Sequence, residues 1–165
     1  MRIARRWEQA QEEADVPGVR RVALRTAMVM TPDRGGVFDH LSWLARLGLG
    51  GPVAGGEQYV SWVHGDDFVH IVEMLVERDD LDGPLVVAAP DPVRQRELMA
   101  SLRRAWGRRL GLPATRLMAE AGALVLRTDT ELLLKSRRVV PGRLLDAGFE
   151  FQHPRWEGAA ADLVA

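Results

Sequence analysis

Two apolar runs constrain this chain most. Val19 to Met30 carries Val22, Leu24 and Val29 with apolar residues on both faces, and Leu85 to Ala89 is apolar throughout, bracketed by Gly83-Pro84 and Pro90. A strand that is apolar on both faces needs helices above and below it, which is the situation of a parallel sheet in an α/β fold. The intervening sequence supplies helical spacing. Ile3, Trp7 and Ala10 share one face of a segment running to Ala14 and stopped by Pro17-Gly18, and Val37, Leu41, Leu44 and Leu47 share another. Tyr59 to Val63 reads as a short strand, and a helix is expected to run from there to Glu77 with Val69, Val72 and Val76 on its buried face and Asp66 or Asp67 as its cap. Asp91-Pro92 has the form of a helix start, with Asp91 as cap and Pro92 in the first turn.

Beyond Gly107 the pattern shifts to short helices, expected over Pro113–Leu126, Thr130–Ser136, Pro141–Ala147 and Trp156–Val164. The expected organisation is an α/β part over 1–112 and a helical C-terminal lobe over 113–165, with no repeat and no low-complexity linker between them.

Composition narrows the function classes. The 165 residues carry a net charge of -1, which gives no global electrostatic case for nucleic acid. The Arg103-Arg104, Arg108-Arg109 and Arg137-Arg138 clusters read as solvated faces. With no cysteine there is no disulfide framework, no thiolate nucleophile and no common zinc site, and a cytoplasmic setting is expected. The basic N-terminus has no apolar run behind it, and no stretch reaches the roughly 20 apolar residues of a membrane helix.

Three segments carry a resemblance. Leu24-Arg25-Thr26-Ala27-Met28-Val29-Met30-Thr31-Pro32 lines up with a strand-to-loop signature of the form Leu-Arg-Tyr-x-Asn-Val-Tyr-Gly-Pro. Ser61-Trp62-Val63-His64-Gly65-Asp66-Asp67 matches a short strand ending in Val-His that leads into an Asp-Asp helix start. The tail pairs Ser136-Arg137-Arg138-Val139-Val140-Pro141-Gly142-Arg143-Leu144-Leu145 with Ala147-Gly148-Phe149-Glu150-Phe151. In this order and spacing the chain resembles the C-terminal half of the Rossmann-like, epimerase-like extended short-chain dehydrogenase/reductases. Its tail is similar to the C-terminal domain, of unknown function, in epimerase family proteins.

The resemblance implies an NAD(P)-dependent epimerase or oxidoreductase in which Thr26 and Ala27 lie at the cofactor and Met28, Arg34, Gln58 and Trp62 line a small-molecule substrate. Met28 stands where the family has a substrate-contacting Asn, and a thioether cannot donate the hydrogen bonds of an amide. The family's phosphate-binding glycine turn has no counterpart. Gly48, Gly50, Gly51, Gly55 and Gly56 follow a helix and precede a strand, the reverse of the order that aims a helix N-terminus at a pyrophosphate. The family's Tyr/Lys pair is also missing: its tyrosine falls at or before Met1, Tyr59 lies elsewhere, and Lys135 is the sole lysine. No catalytic residue is assigned, and tight NAD(P) binding by this chain alone is not expected.

His64 has two readings, a general base or an organiser of the turn beside Asp67. His40, His70 and His153 show no ligand spacing with acidic residues, so no metal site is expected. Three functions follow. The chain is the substrate-side portion of a larger enzyme, inactive without an N-terminal cofactor half; or a non-catalytic binding or scaffold module docking a partner; or a cofactor-free enzyme using His64, Asp66 and Asp67. The first two leave an apolar sheet face and strand edge to be covered by the missing half or by self-association.

Overall fold

The computed structural model describes residues 2–14, 16–113 and 135–165. Its elements are α1 (Arg2–Glu13), β1 (Val22–Thr26), β2 (Met28–Met30), α2 (Val37–Arg46), β3 (Tyr59–Val60), β4 (Trp62–His64), α3 (Gly65–Glu77), β5 (Gly83–Val87), β6 (Val93–Arg94), α4 (Gln95–Ala105), α5 (Gly142–Asp146) and α6 (Trp156–Asp162). The helices expected over Pro113–Leu126 and Thr130–Ser136 fall almost entirely on 114–134, outside the described residues.

The first apolar run is not one uniform strand. It breaks at Ala27, and each half takes a different parallel partner. β1 pairs with β5 in the register Val22↔Gly83 to Thr26↔Val87, whereas β2 pairs with β4 in the register Met28↔Trp62 to Met30↔His64. The switch is visible in the backbone: Ala27 N–H donates to Val87 O at 2.8 Å, and Met28 N–H then donates to Ser61 O at 3.3 Å. Ala89 N–H donates to Trp62 O at 2.6 Å, so β4 is wedged between the diverging ends of the first pair. Sequence alternation cannot reveal this change of partner.

Side-chain alternation across β4 divides the core in two. Trp62 enters a cluster with Met30, Phe38, Leu41, Leu98 and Trp156, supplied largely by α2, α4 and α6. Val63 enters another with Ile71, Leu75, Leu85, Val87 and Leu144, supplied by α3, α5 and β5. The helix-on-both-faces arrangement implied by the apolar strands is thus present, and α5 and α6 from the C-terminal region fill opposite faces of it.

The helix expected to begin at Asp91-Pro92 begins later, at Gln95. Val93 and Arg94 instead pair antiparallel with Val60 and Tyr59, and that pairing overrides the local cap-and-proline signal. Glu97 in the first turn of α4 accepts the Arg94 N–H at 3.4 Å, the return half of a capping box. The glycine-rich segment 48–56 is a loop, and its glycines serve packing. A Cβ on Gly51 would sit 2.3 Å from Leu112 O, and Gly56, at φ +70, would place one 2.7 Å from Arg96 Cβ.

Candidate functional site

The carboxyl ends of parallel strands are where α/β folds expose binding residues, and here those ends are Thr26 to Met30 and the turn from His64 into α3. Thr26 closes β1 beside Val87 and is exposed. Ala27 is half-buried, and its N–H is spent on Val87 O. Met28 is also half-buried and packs onto the cluster around Trp62 and Trp156, so its thioether serves the core on at least one side. Arg34 stands exposed on the loop after β2. Gln58 is half-buried, and its amide donates to Val53 O at 3.1 Å, tying the glycine-rich loop to β3.

Trp62 departs from its expected place at the substrate. It is 0% exposed, its indole N–H donates to Asp91 O at 3.1 Å, and its ring meets that of Trp156 edge-on at 5.0 Å. A side chain enclosed in this way has no surface left for a ligand, and its role here is in the core.

Arg25, next to Thr26, reaches back to α1. Its guanidinium engages both carboxylate oxygens of Glu8, at 2.8 and 2.9 Å, in a fork geometry that fixes α1 beside β1. Beneath this pair is a shallow hollow lined by Glu8, Gln11, Arg21, Ala23, Gly83 and Pro84.

At the other strand end, the cap of α3 is His64, not either aspartate. Its Nδ1 accepts the Asp66 N–H at 3.2 Å, which makes it the organiser of the turn. Asp67 turns inward, is fully buried, and accepts the N–H groups of Gln152 at 2.7 Å and His153 at 3.0 Å. Those bonds bring His153 onto His64, with ring centroids 3.8 Å apart and planes 25° from parallel. Asp66 and Asp162 complete the group, and one ligating atom from each of the four residues lies within 4.8 Å of the others. Burial, and then His153, holds His64 below the usual value of 6.5, against the opposing pull of Asp66, Asp162 and Asp67. No spacing in the sequence announces this cluster, because its members come from β4, α3, the 149–155 segment and α6. The sole local hint is the Val-His-x-Asp-Asp turn itself.

Comparison with known proteins places this geometry. A family model described as a domain of unknown function, DUF1731, matches residues 116–163. A human epimerase family protein is 31% identical over 165 residues, covering 99% of this chain and 54% of its own length. An epimerase family protein of Mycobacterium bovis is 34% identical over 149 residues, covering 89% and 48% respectively. The solved human epimerase family protein, crystallised with NADPH, superposes with a TM-score of 0.86 at 29% identity, over 99% of this chain and 54% of that one. A nucleoside-diphosphate sugar epimerase from Corynebacterium glutamicum superposes at 0.71 with 25% identity, over 97% of this chain and 29% of that one. The chain spans about half the length of the curated relatives it matches. Over nearly its whole length it corresponds to the C-terminal portion of the epimerase family proteins, in the Rossmann-like fold of the short-chain dehydrogenase/reductases.

Proposed function

We propose that this chain is the substrate-side portion of an NAD(P)-dependent epimerase- or oxidoreductase-like enzyme and that it does not turn over substrate alone. The observation that carries this reading is the position of β1. It ends at Thr26, with Ala27 next in the chain, at the carboxyl end of a parallel pair, the usual place for a ligand in such sheets. Among the described residues its other edge has no strand partner. A half-built parallel sheet invites completion, and a strand supplied by the portion of the relatives that this chain does not match would give it. Residues 1–112 are then the Rossmann-like part and 113–165 its helical lobe, with Thr26 and Ala27 near the cofactor and Met28, Arg34 and Gln58 toward a small-molecule substrate.

The described residues do not fit a dinucleotide's phosphates. The glycine-rich loop spends Gly51 N–H on Leu112 O and Gly56 N–H on Val53 O, and the space a Cβ would occupy at either glycine is filled by protein atoms. The phosphate cradle is therefore assigned to the complementary portion. No step of a reaction is assigned to this chain.

A second reading, a binding module without catalysis, uses the same region: Leu24 on β1 is 38% exposed and Trp7 on α1 is 73% exposed. One experiment separates the two. The chain is mixed with a polypeptide spanning the unmatched portion of the human relative, and amide exchange over Val22–Thr26 and NADPH binding are followed. Protection of β1 together with acquired NADPH binding supports the enzyme portion. Protection without NADPH binding supports the module, and no complex contradicts both.

A further inference from the structure

The meeting point of β4, the first turn of α3 and the C-terminal segment concentrates titratable groups around one buried imidazole. His64 is 3% exposed. Its Nδ1 accepts the Asp66 N–H, and a ring nitrogen that accepts carries no proton, so the neutral ring has its proton on Nε2. That Nε2 is buried and makes no hydrogen bond, with Asp162 Oδ2 of α6 standing 3.4 Å away. Asp66 Oδ2 lies 3.7 Å from His64 Nδ1 and 4.0 Å from His153 Nε2. Asp67 stands behind, both its oxygens engaged by the Gln152 and His153 amides.

These groups invite comparison with a metal site, but the ring chemistry opposes one. A metal on Nε2 needs the proton moved to Nδ1, where it would meet the Asp66 N–H. Two near-parallel rings 3.8 Å apart also direct their in-plane lone pairs side by side and not toward a common point. The arrangement handles protons better. Two neutral imidazoles stack at contact distance, whereas two cations so close repel, strongly where one of them is buried. The carboxylates of Asp66 and Asp162 can match one added charge. A proton placed on Nδ1 of His64 would also displace the cap of α3.

We propose that the His64–His153 stack is a proton-sensitive latch: in its neutral form it holds the C-terminal segment from Gln152 through α6 against the start of α3, and acidification loosens that segment ahead of the rest of the fold. The depressed affinity of His64 for its proton gives the direction. The latched state binds protons less readily than the opened one, so latching is complete above about pH 6.5 and weakens as the pH falls below it. The groups facing the stack are Asp66 and Asp67 from α3 and Asp162 from α6.

The test is residue-level hydrogen exchange on the full chain at pH 7.5 and 5.5, corrected for intrinsic rates. The amides of Gln152 and His153 report the latch, and those of Leu85 and Val87 in β5, paired with β1 and away from α6, report the rest of the fold. The latch predicts a loss of protection at Gln152 and His153 of about threefold or more beyond any loss in β5. His153→Phe keeps a ring on His64 without a second proton site, and it should shrink that loss measurably. Asp162→Asn, an exposed change that removes a compensating carboxylate, should enlarge it and serves if the Phe variant does not fold. Equal loss in β5, no loss at all, an undiminished loss in His153→Phe, or no enlargement in Asp162→Asn overturns the proposal.

Discussion

Asp67 and His153 lie 86 residues apart in sequence and are joined by a single bond: the buried carboxylate accepts the His153 backbone N–H at 3.0 Å. The same carboxylate takes the Gln152 N–H at 2.7 Å, so one side chain docks the C-terminal segment onto the first turn of α3. Asp67→Ala leaves two amide donors without their charged acceptor. Because hydrogen bonds to charged groups contribute about 1.5–3 kcal/mol each, the expected loss is about 3–5 kcal/mol in urea unfolding. Asp67→Asn keeps the volume but opposes one N–H with an NH2, and it should recover less than half of that loss.

Trp62 and Trp156 form the centre of the larger core cluster, edge to face at 5.0 Å, with Trp156 Nε1 donating to Leu98 O at 2.9 Å. Trp156→Ala opens a cavity, removes that bond and detaches α6 from α4. An expected cost of about 3–5 kcal/mol should lower the urea midpoint followed by circular dichroism, while Trp156→Phe should cost about half as much.

Much of this core is legible in the sequence. Leu41 and Leu85 sit where helical spacing and an apolar strand run place them, because one amphipathic face or one fully buried strand leaves a periodic trace. The valine stripe of α3 misleads: Val69 and Val76 are 51% and 76% exposed, and Ile71 and Leu75 face the core instead, because the buried Asp67 fixes which side of the helix turns inward. The partner switch at Ala27 leaves none, since β1 and β2 share one apolar pattern and only the third dimension says which neighbour each half meets. The start of α4 shows the opposite failure. Asp91-Pro92 is a sound local cap signal, but the antiparallel pairing of Val93 and Arg94 outweighs it. The His64 cluster is half visible: the turn has a local signature, but the partners His153 and Asp162 do not, because pairing across about half the chain leaves none. Resemblance places Trp62 at the substrate, whereas alternation along β4 turns it inward.

Gly56 combines φ +70 with a Cβ position 2.7 Å from Arg96 Cβ, so both backbone conformation and space demand glycine there. Gly56→Ala should destabilise by about 1–3 kcal/mol, read as a lower midpoint in thermal unfolding. Gly142→Ala, where nothing lies within 4 Å of the added Cβ and φ is not positive, serves as the control and should change little.

The Glu8–Arg25 pair is half-exposed, with side-chain exposures of 28% and 56%. Solvent screens such pairs, so Glu8→Gln should cost no more than about 1 kcal/mol, and less in 0.5 M salt than at low ionic strength. A larger, salt-independent cost would mean that α1 is held to β1 chiefly through this contact.

His64 makes one pH-dependent contribution to the stability of the fold. Its proton affinity is lowered in the folded state by burial first and His153 second, so its contribution is present above about pH 6.5 and is lost as the pH falls through the folded value. His64→Asn keeps an N-capping side chain without titrating in this range. The variant should be less stable than the parent at pH 8, and the difference should narrow toward pH 5 in urea titrations at each pH.

On the function proposed above, this chain carries the substrate side of an epimerase-like site and lacks the means to hold the dinucleotide. An NADPH titration of the full chain, followed by calorimetry, tests it most directly. No saturable binding tighter than about 100 μM is expected. A one-to-one complex with micromolar or tighter affinity would contradict it and would place a phosphate cradle within this chain.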